Sequence, residues 1–350
     1  MSDLATEVGD RAFDVTIEGE DGGAGDTVRV APGDTLLGAL LRAGRGIAYE
    51  CTAGGCGSCK VTLLDGTVDP GDEGAPGLRP ADRRRGKVLA CLSRPRDDCR
   101  IAVKIDPAYV PRIRPWARRA RLVERAALTP DLHEFTFAAD GPADFLPGQF
   151  ARLFLPGLDA PRCYSMSNIA NGDGTWRFIV KRVPGGAATG RLFADDAVGL
   201  EVALDAPYSI AHLGDPAPRP VTCVAGGSGL APMISILHGL AARGRGLAKA
   251  RLFYGARTAA EVVRAERLAE IPGFDADRQY VPVVSEPAAG DGWSGAVGLV
   301  GDRLGEAAGA DAAARDYFIA GPPPMVDAVR RLLVLDRKVP VDQLHYDRFY

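Results

Sequence analysis

The stretch 49–61, YECTAGGCGSCKV, places Cys51, Cys56 and Cys59 within nine positions and fills the intervals with glycine and small polar residues. Thiols crowded this closely suit metal or redox work better than a disulfide framework. The whole chain holds seven cysteines, an odd number and mostly clustered, which fits a reducing compartment.

The next cysteine is Cys91, in KVLACLS. C-x4-C-x2-C with a more distant fourth cysteine is the plant-type [2Fe-2S] spacing. Two irons bridged by sulfides need four thiolates, and a tight loop delivers three of them only if its backbone bends freely. Gly54, Gly55 and Gly57 supply that freedom, and their amides can point at the sulfurs and help set the potential. Zinc is the alternative occupant, although zinc knuckles usually pair their ligands as two C-x2-4-C units. Around the loop, FDVTIEG and DTVRVAPG read as hairpin strands, TLLGALLRAG as an amphipathic helix and KVTLLDG as a returning strand. These segments resemble the β-grasp fold of plant-type ferredoxins over residues 12–105.

At 350 residues the chain is too long for one ordinary core and fits two or three domains. A net charge of -3, with 46% hydrophobic and 25% charged residues, describes a soluble globular protein and not a nucleic-acid binder. The acidic start, MSDLATEVGDRAFDV, has no basic region followed by an apolar run, and nowhere do eighteen apolar residues run uninterrupted. A cytoplasmic monomer without a membrane span is expected.

PAYVPRIRPWARRARLVER, with six arginines against one glutamate, reads as a linker into a new domain, its charge either a solvated strand edge or a steering patch. From 117 to 215, six short alternating runs suggest an antiparallel barrel: ARLVERAAL, LHEFTFAA, GQFARLFLP, RCYSMSNI, WRFIVKRV and LEVALDAP. From 216 to 350, strands at VTCVAGG, KARLFYGAR, RQYVPVVSE and DYFIAGPPP alternate with helices at LAPMISILHGLAARG, AEVVRAERLAEIP and MVDAVRRLLVL. That alternation implies an α/β parallel sheet whose ligands lie beyond the carboxyl ends of the strands. Cys99, Cys163 and Cys223 read as packing thiols, and the four histidines show no metal-binding spacing.

Arg162-Cys163-Tyr164-Ser165 resembles the R-x-Y-S flavin motif of the ferredoxin-NADP reductase superfamily. The resemblance implies that Arg162 pairs with the flavin pyrophosphate, Tyr164 packs on the isoalloxazine and Ser165 reaches its reactive nitrogen. VPGGAATGRLF resembles that family's second phosphate segment, bringing in Gly186 and Thr189. The loop Gly226, Gly227, Ser228, Gly229 resembles its G-G-x-G-x-A-P nicotinamide-dinucleotide loop, and Gly321 and Pro322 resemble its C-G-P-P-x-M, with Ala320 replacing the cysteine. Ala206-Pro207-Tyr208-Ser209 stands where the family commonly has G-P-Y-G. Phe349 or Tyr350 corresponds to the aromatic that covers the flavin face, the alternative being a hydrophobic tail packed on the last helix.

The order of cluster, flavin and nicotinamide domains resembles NADH-dependent reductase components of bacterial multicomponent oxygenases. The ending RRLLVLDRKVPVDQLHYDRFY resembles those serving soluble diiron monooxygenases, toluene monooxygenase reductases in particular. NADH gives two electrons together and the cluster accepts one at a time, so FAD belongs between them. The expected acceptor is the oxygenase of an aromatic-hydrocarbon pathway or its Rieske ferredoxin. A Rieske dioxygenase or deoxysugar dehydratase reductase, or an electron carrier with vestigial flavin and nucleotide domains, are the alternatives. NADH is expected over NADPH, with Arg257 the residue that could meet a 2′-phosphate.

Overall fold

The computed structural model describes residues 11–18, 25–71, 73–214, 219–309 and 311–350. The first ten residues of the acidic start lie outside them, as does the expected boundary at 215/216. The chain divides into two compact units, Met1–Trp116 and Ala117–Tyr350.

In the first unit, five strands form one sheet in the order Asp26–Val30, Phe13–Glu18, Cys99–Ala102, Lys60–Asp65, Lys87–Leu89. Alternation explains its buried face: Val15, Ile17, Val28, Val30 and Ile101 point into the core. The helix Leu36–Arg42 covers that face with Leu36, Leu37, Leu40 and Leu41, all fully buried. Its start is fixed by the Thr35 hydroxyl, which accepts from the Gly38 amide at 3.1 Å. Two further amides of its first turn donate outward, Leu36 to Ser93 O at 2.9 Å and Leu37 to Ala90 O at 2.8 Å. Those acceptors flank Cys91, so the helix start and the distant cysteine hold each other in place.

The second unit opens with a six-stranded antiparallel sheet, ordered Arg162–Ser165, Phe150–Phe154, Glu201–Tyr208, Trp116–Ala127, Leu132–Ala139, Thr175–Lys181. A bridge between Met166 and Phe178 joins its two edges and nearly closes the barrel. Phe135, Phe137, Trp176, Phe178 and Leu204 fill the interior. The basic run enters as one of its strands, with Arg118 buried and its guanidinium 4.7 Å from the centre of the Trp176 ring.

A parallel six-stranded sheet follows, ordered Ala296–Val297, Tyr280–Val284, Arg251–Ala256, Val221–Gly226, Asp316–Gly321, Leu344–Arg348. Both faces are covered: Cys223, Ala225, Leu252 and Tyr254 point to the helix Leu230–Ala242, while Val224, Phe253, Tyr317 and Ile319 point to Val300–Ala307 and Pro323–Arg331.

Two segments depart from the sequence expectation. AEVVRAERLAEIP forms no continuous helix; a single turn, Ala265–Leu268, follows the short 3-10 turn Ala259–Glu261. Tyrosine hydroxyls take the carbonyls that a helix would use, Tyr254 donating to Glu261 O at 3.3 Å and Tyr280 to Val263 O at 2.8 Å. The expected tail is instead an edge strand, Leu344–Arg348, aligned so that Ala320 faces Asp347 and Gly321 faces Arg348. The helix Val300–Ala307 was not foreseen.

Candidate cluster and cofactor sites

The cluster loop lies between the helix and the strand Lys60–Asp65 and turns through three left-handed residues, Thr52 (φ 51°), Gly54 (φ 79°) and Gly57 (φ 75°). Gly57 has a second constraint: a Cβ there would stand 2.5 Å from Gly77 O. Cys91 is brought in by the Ala90 amide, which donates to Cys59 O at 2.9 Å.

The four thiols meet as two pairs, Cys51 with Cys56 and Cys59 with Cys91. Hydrogen bonding to its partner and burial push Cys51 up, while the same bond holds Cys56 at about 5. Cys91 and Cys59 repeat the division, raised and lowered respectively by the bond between them. Backbone amides add donors: Ala53 and Cys56 to the Cys51 sulfur and Ser58 to that of Cys56, each at 3.4 Å, and Gly54 to Cys91. Buried negative sulfur needs such donors. A two-iron group with one thiolate pair on each metal fits the arrangement. Among the described residues no three His, Cys, Asp or Glu side chains converge as ligands for a single ion.

On the barrel, Arg162 and Tyr164 share one side of their strand and Ser165 lies on the other. Arg162 is exposed and donates to Ala160 O at 2.9 Å, Tyr164 is half-buried, and Ser165 is buried. Burial, only partly offset by Arg162, pushes the Tyr164 phenol up to about 12, so it stays neutral. Gly186 precedes the helix Ala187–Leu192. The Thr189 hydroxyl closes that turn, accepting from the Val183 amide at 3.2 Å and donating to Val183 O at 3.1 Å.

On the parallel sheet, both glycine loops leave the carboxyl ends of adjacent central strands, Val221–Gly226 and Asp316–Gly321, between which the chain reverses its direction of travel across the sheet. Such a switch point is where ligands bind in open α/β sheets. The two loops touch: a Cβ on Gly229 would overlap Ala320 O, and one on Gly226 would lie 2.7 Å from the Met325 sulfur. Gly227 has φ 55° and Gly321 φ 145°. Ser228 lies on the single 3-10 turn Gly227–Gly229, and Pro322 precedes the helix Pro323–Arg331.

Sequence reasoning missed several residues at this edge. Lys181, from the barrel, has its side chain against Gly227 and its ammonium 2.7 Å from Glu261 and 3.2 Å from Asp131. Glu261 also meets Arg257, at 3.7 Å. The Arg267 guanidinium donates to Glu134 at 2.8 Å, whose other oxygen accepts from Ser167 at 2.7 Å, two residues beyond Ser165. The clue was the lysine closing the apolar run FIVK, where a core strand had no need of a charge. Ser209 keeps a left-handed backbone, φ 93°, where the family commonly has glycine, and its hydroxyl donates to both Asp347 oxygens at 2.9 and 3.1 Å. Phe349 packs against the core under the helix Leu230–Ala242 and donates its amide to Gly321 O at 2.9 Å, whereas Tyr350 is exposed.

Three family descriptions match the chain in series: a 2Fe-2S iron-sulfur cluster binding domain at residues 16–96, an oxidoreductase FAD-binding domain at 119–212 and an oxidoreductase NAD-binding domain at 223–331. Fold and matches together define a flavin and iron–sulfur oxidoreductase. Over 318 residues the chain is 38% identical to the ferredoxin–NAD(+) reductase component of the alkene monooxygenase system of Xanthobacter autotrophicus, covering 90% of this chain and 95% of that one. It belongs to the ferredoxin-NAD(P) reductase family, among the members with an N-terminal [2Fe-2S] domain. The solved ferredoxin reductase of carbazole 1,9a-dioxygenase is similar at 35% identity and TM-score 0.87, covering 97% of this chain and 99% of that one. The Amycolatopsis cytochrome P450 reductase GcoB is similar at 32% and 0.78, covering 96% and 98%. Among the described residues no helix is long and apolar enough to cross a membrane.

Proposed function

We propose that this chain is a cytoplasmic, monomeric reductase that passes electrons from NADH through FAD and a [2Fe-2S] cluster to the oxygenase, or the Rieske carrier, of a bacterial multicomponent diiron monooxygenase. In this reading residues 12–105, 117–215 and 216–350 are the cluster, flavin and nicotinamide domains. The observation that carries it is the pairing of Cys51 with Cys56 and Cys59 with Cys91 in the same chain as two glycine loops at a strand switch point.

FAD, when bound, converts the two-electron donor NADH into single electrons for the cluster. Every other task falls to side chains and backbone. Arg162 pairs with pyrophosphate, Tyr164 offers a neutral aromatic face, and Ser165 directs its hydroxyl to the flavin edge. The segment from Gly186 to Thr189 opens a helix start to the phosphates. Gly226, Gly227, Ser228, Gly229, Gly321 and Pro322 admit the nicotinamide dinucleotide, and Phe349 or Tyr350 occupies the face where nicotinamide lands. Four thiolates hold the irons.

Anaerobic titration with NADH, followed in the visible spectrum, tests the reading. Bleaching of flavin and cluster bands at one FAD per two irons is expected; NADH that leaves a loaded cluster oxidised defeats it. Equal or better efficiency with NADPH would defeat the coenzyme assignment. A second reading, reductase of a Rieske dioxygenase, is favoured by the likeness to the carbazole dioxygenase protein. Activity reconstituted with one oxygenase class and not the other separates the two.

A further inference from the structure

Arginines crowd one segment packed on the cluster loop of the first unit, at positions 79 and 83–85. The segment 77–84, which ends in the helix Pro80–Arg84, is held against that loop at three points. The Gly77 amide donates to Gly54 O at 2.9 Å, Gly57 and Gly77 pack backbone to backbone, and Lys60, next to Cys59, meets Asp82 at 2.8 Å. That last contact neutralises the acid of the helix. Arg79, Arg84 and Arg85 extend into solvent with no ion pair or side-chain hydrogen bond among the described residues, set against Glu50 and Glu73. The strand Lys60–Asp65 then carries the chain roughly 17 Å away, at about 3.3 Å per residue, to an opposite end where the exposed Asp65 meets Arg100 at 3.7 Å and the exposed Asp98 meets Arg11 at 3.6 Å. The arginines of 79–85 thus carry positive charge from beside the loop along to Gly86, whose carbonyl accepts from the Leu63 amide at 2.9 Å, while Asp65 and Asp98 beyond it are paired. Within the loop, Ala53 and Ser58 are exposed, which gives the sulfurs a short route to the surface.

An electron leaving the cluster has to leave near this loop. We propose that the arginine face is the docking surface for an acidic protein acceptor that takes electrons from the cluster; this rests on the function proposed above. NADH supplies the electrons. In each transfer the cluster loses one electron and the acceptor gains one, with no bond made or broken. Charges at the rim of such a contact act mainly on the encounter rate and are screened by salt.

The test compares the holoprotein with an R79E/R84E/R85E variant, using two probes: cytochrome b5, whose surface is acidic, and cytochrome c, whose surface is basic. For the parent, kcat/KM toward cytochrome b5 is expected to fall about ten-fold between roughly 0.05 and 0.5 M salt. At low salt the variant should lose about ten-fold with cytochrome b5 and gain with cytochrome c, while cluster content and the rate at which NADH bleaches the cluster stay unchanged. Equal rates for parent and variant with both cytochromes would overturn the proposal. So would slower bleaching of the cluster by NADH with unaltered cytochrome rates, which would assign the face to contacts within the chain. If NADH fails to bleach the parent's cluster, the proposed function falls; the surface is then read by mixing dithionite-reduced protein, freed of excess reductant, with cytochrome b5, where the same ten-fold loss is expected and its absence overturns the docking face.

Discussion

The cluster loop and the carboxyl edge of the parallel sheet are both glycine-rich, but they are assembled in different ways. The cluster loop is almost self-sufficient: three thiols and four sulfur-directed amides come from residues 51–59, and one partner, Cys91, is carried in by hydrogen bonds to Cys59 and to the helix start. The sheet edge is composite. Its glycines serve each other's backbone across two loops almost a hundred residues apart, and its charges pair barrel residues, Lys181 and Glu134, with Glu261 and Arg267 of the sheet's own loops. A local site is written in one stretch of sequence; a composite one is written in the fold.

The largest expected effect would show whether the local site is as self-contained as its geometry implies. Cys91→Ser removes one thiolate of four and leaves the loop intact. Cluster absorbance should vanish and electron delivery to a protein acceptor should fall at least about a hundred-fold, because no alternative single-electron outlet remains. Bleaching of the flavin by NADH should persist. Loss of flavin reduction along with the cluster would break the separation of the two sites.

Legibility follows the same division. The ferredoxin-like half was readable because spacing, glycines and strand alternation all lie in short range: the strands at FDVTIE and KVTLLD and the helix at LLGALLR form where the pattern puts them. Six barrel strands and the parallel sheet were readable for the same reason. Missed features depend on partners distant in sequence. LHYDR becomes a strand only because Asp316–Gly321 offers it an edge, and AEVVRAERL gives up its helix to two tyrosine hydroxyls. Lys181, Glu261 and Asp131 carry no mutual spacing at all.

Next in size is Gly229→Ala. Its Cβ would overlap Ala320 O, which is backbone in a buried strand and has little room to retreat, so overpacking should destabilise the second unit by about 3 kcal/mol. Gly141→Ala is the control, since its Cβ meets nothing and only the positive φ of 76° opposes it, at about 1–2 kcal/mol. Denaturant unfolding followed by fluorescence of buried Trp176 measures both. Equal losses would mean that the loops do not brace each other.

Ser209→Ala should cost somewhat less, about 2 kcal/mol, because it removes a hydroxyl bonded to a buried carboxylate and keeps the unfavourable φ of 93°. Ser209→Gly loses the same bonds but relieves about 1 kcal/mol of backbone strain, so it should be the more stable of the pair. The order of the two variants sharpens the comparison. If alanine and glycine behave alike, the link between barrel and edge strand to Asp347 contributes nothing through backbone geometry.

The smallest effect distinguishes the units by pH. All four histidines lie in the second unit, and burial lowers His133, His238 and His345 below the ordinary imidazole value, helped at His133 and His238 by neighbouring arginines. A lowered folded pKa means that the unfolded chain binds protons first. Stability supplied by these neutral rings is therefore complete above the unfolded value of about 6.5 and is lost as pH falls below it. In the first unit, which has no histidine, Asp82 is held below the carboxylate range by Lys60 and Asp97 by the Thr67 amide. Their contribution stays intact until pH falls below about 4. Between pH 7 and 5 the histidines should weaken the second unit while the carboxylates of the first keep their contribution, and His238→Gln should flatten part of that slope. Hydrogen exchange resolved by segment reads the two units in one sample; a parallel decline in both would show that their stabilities are coupled and that the cluster half is less independent than its local construction implies.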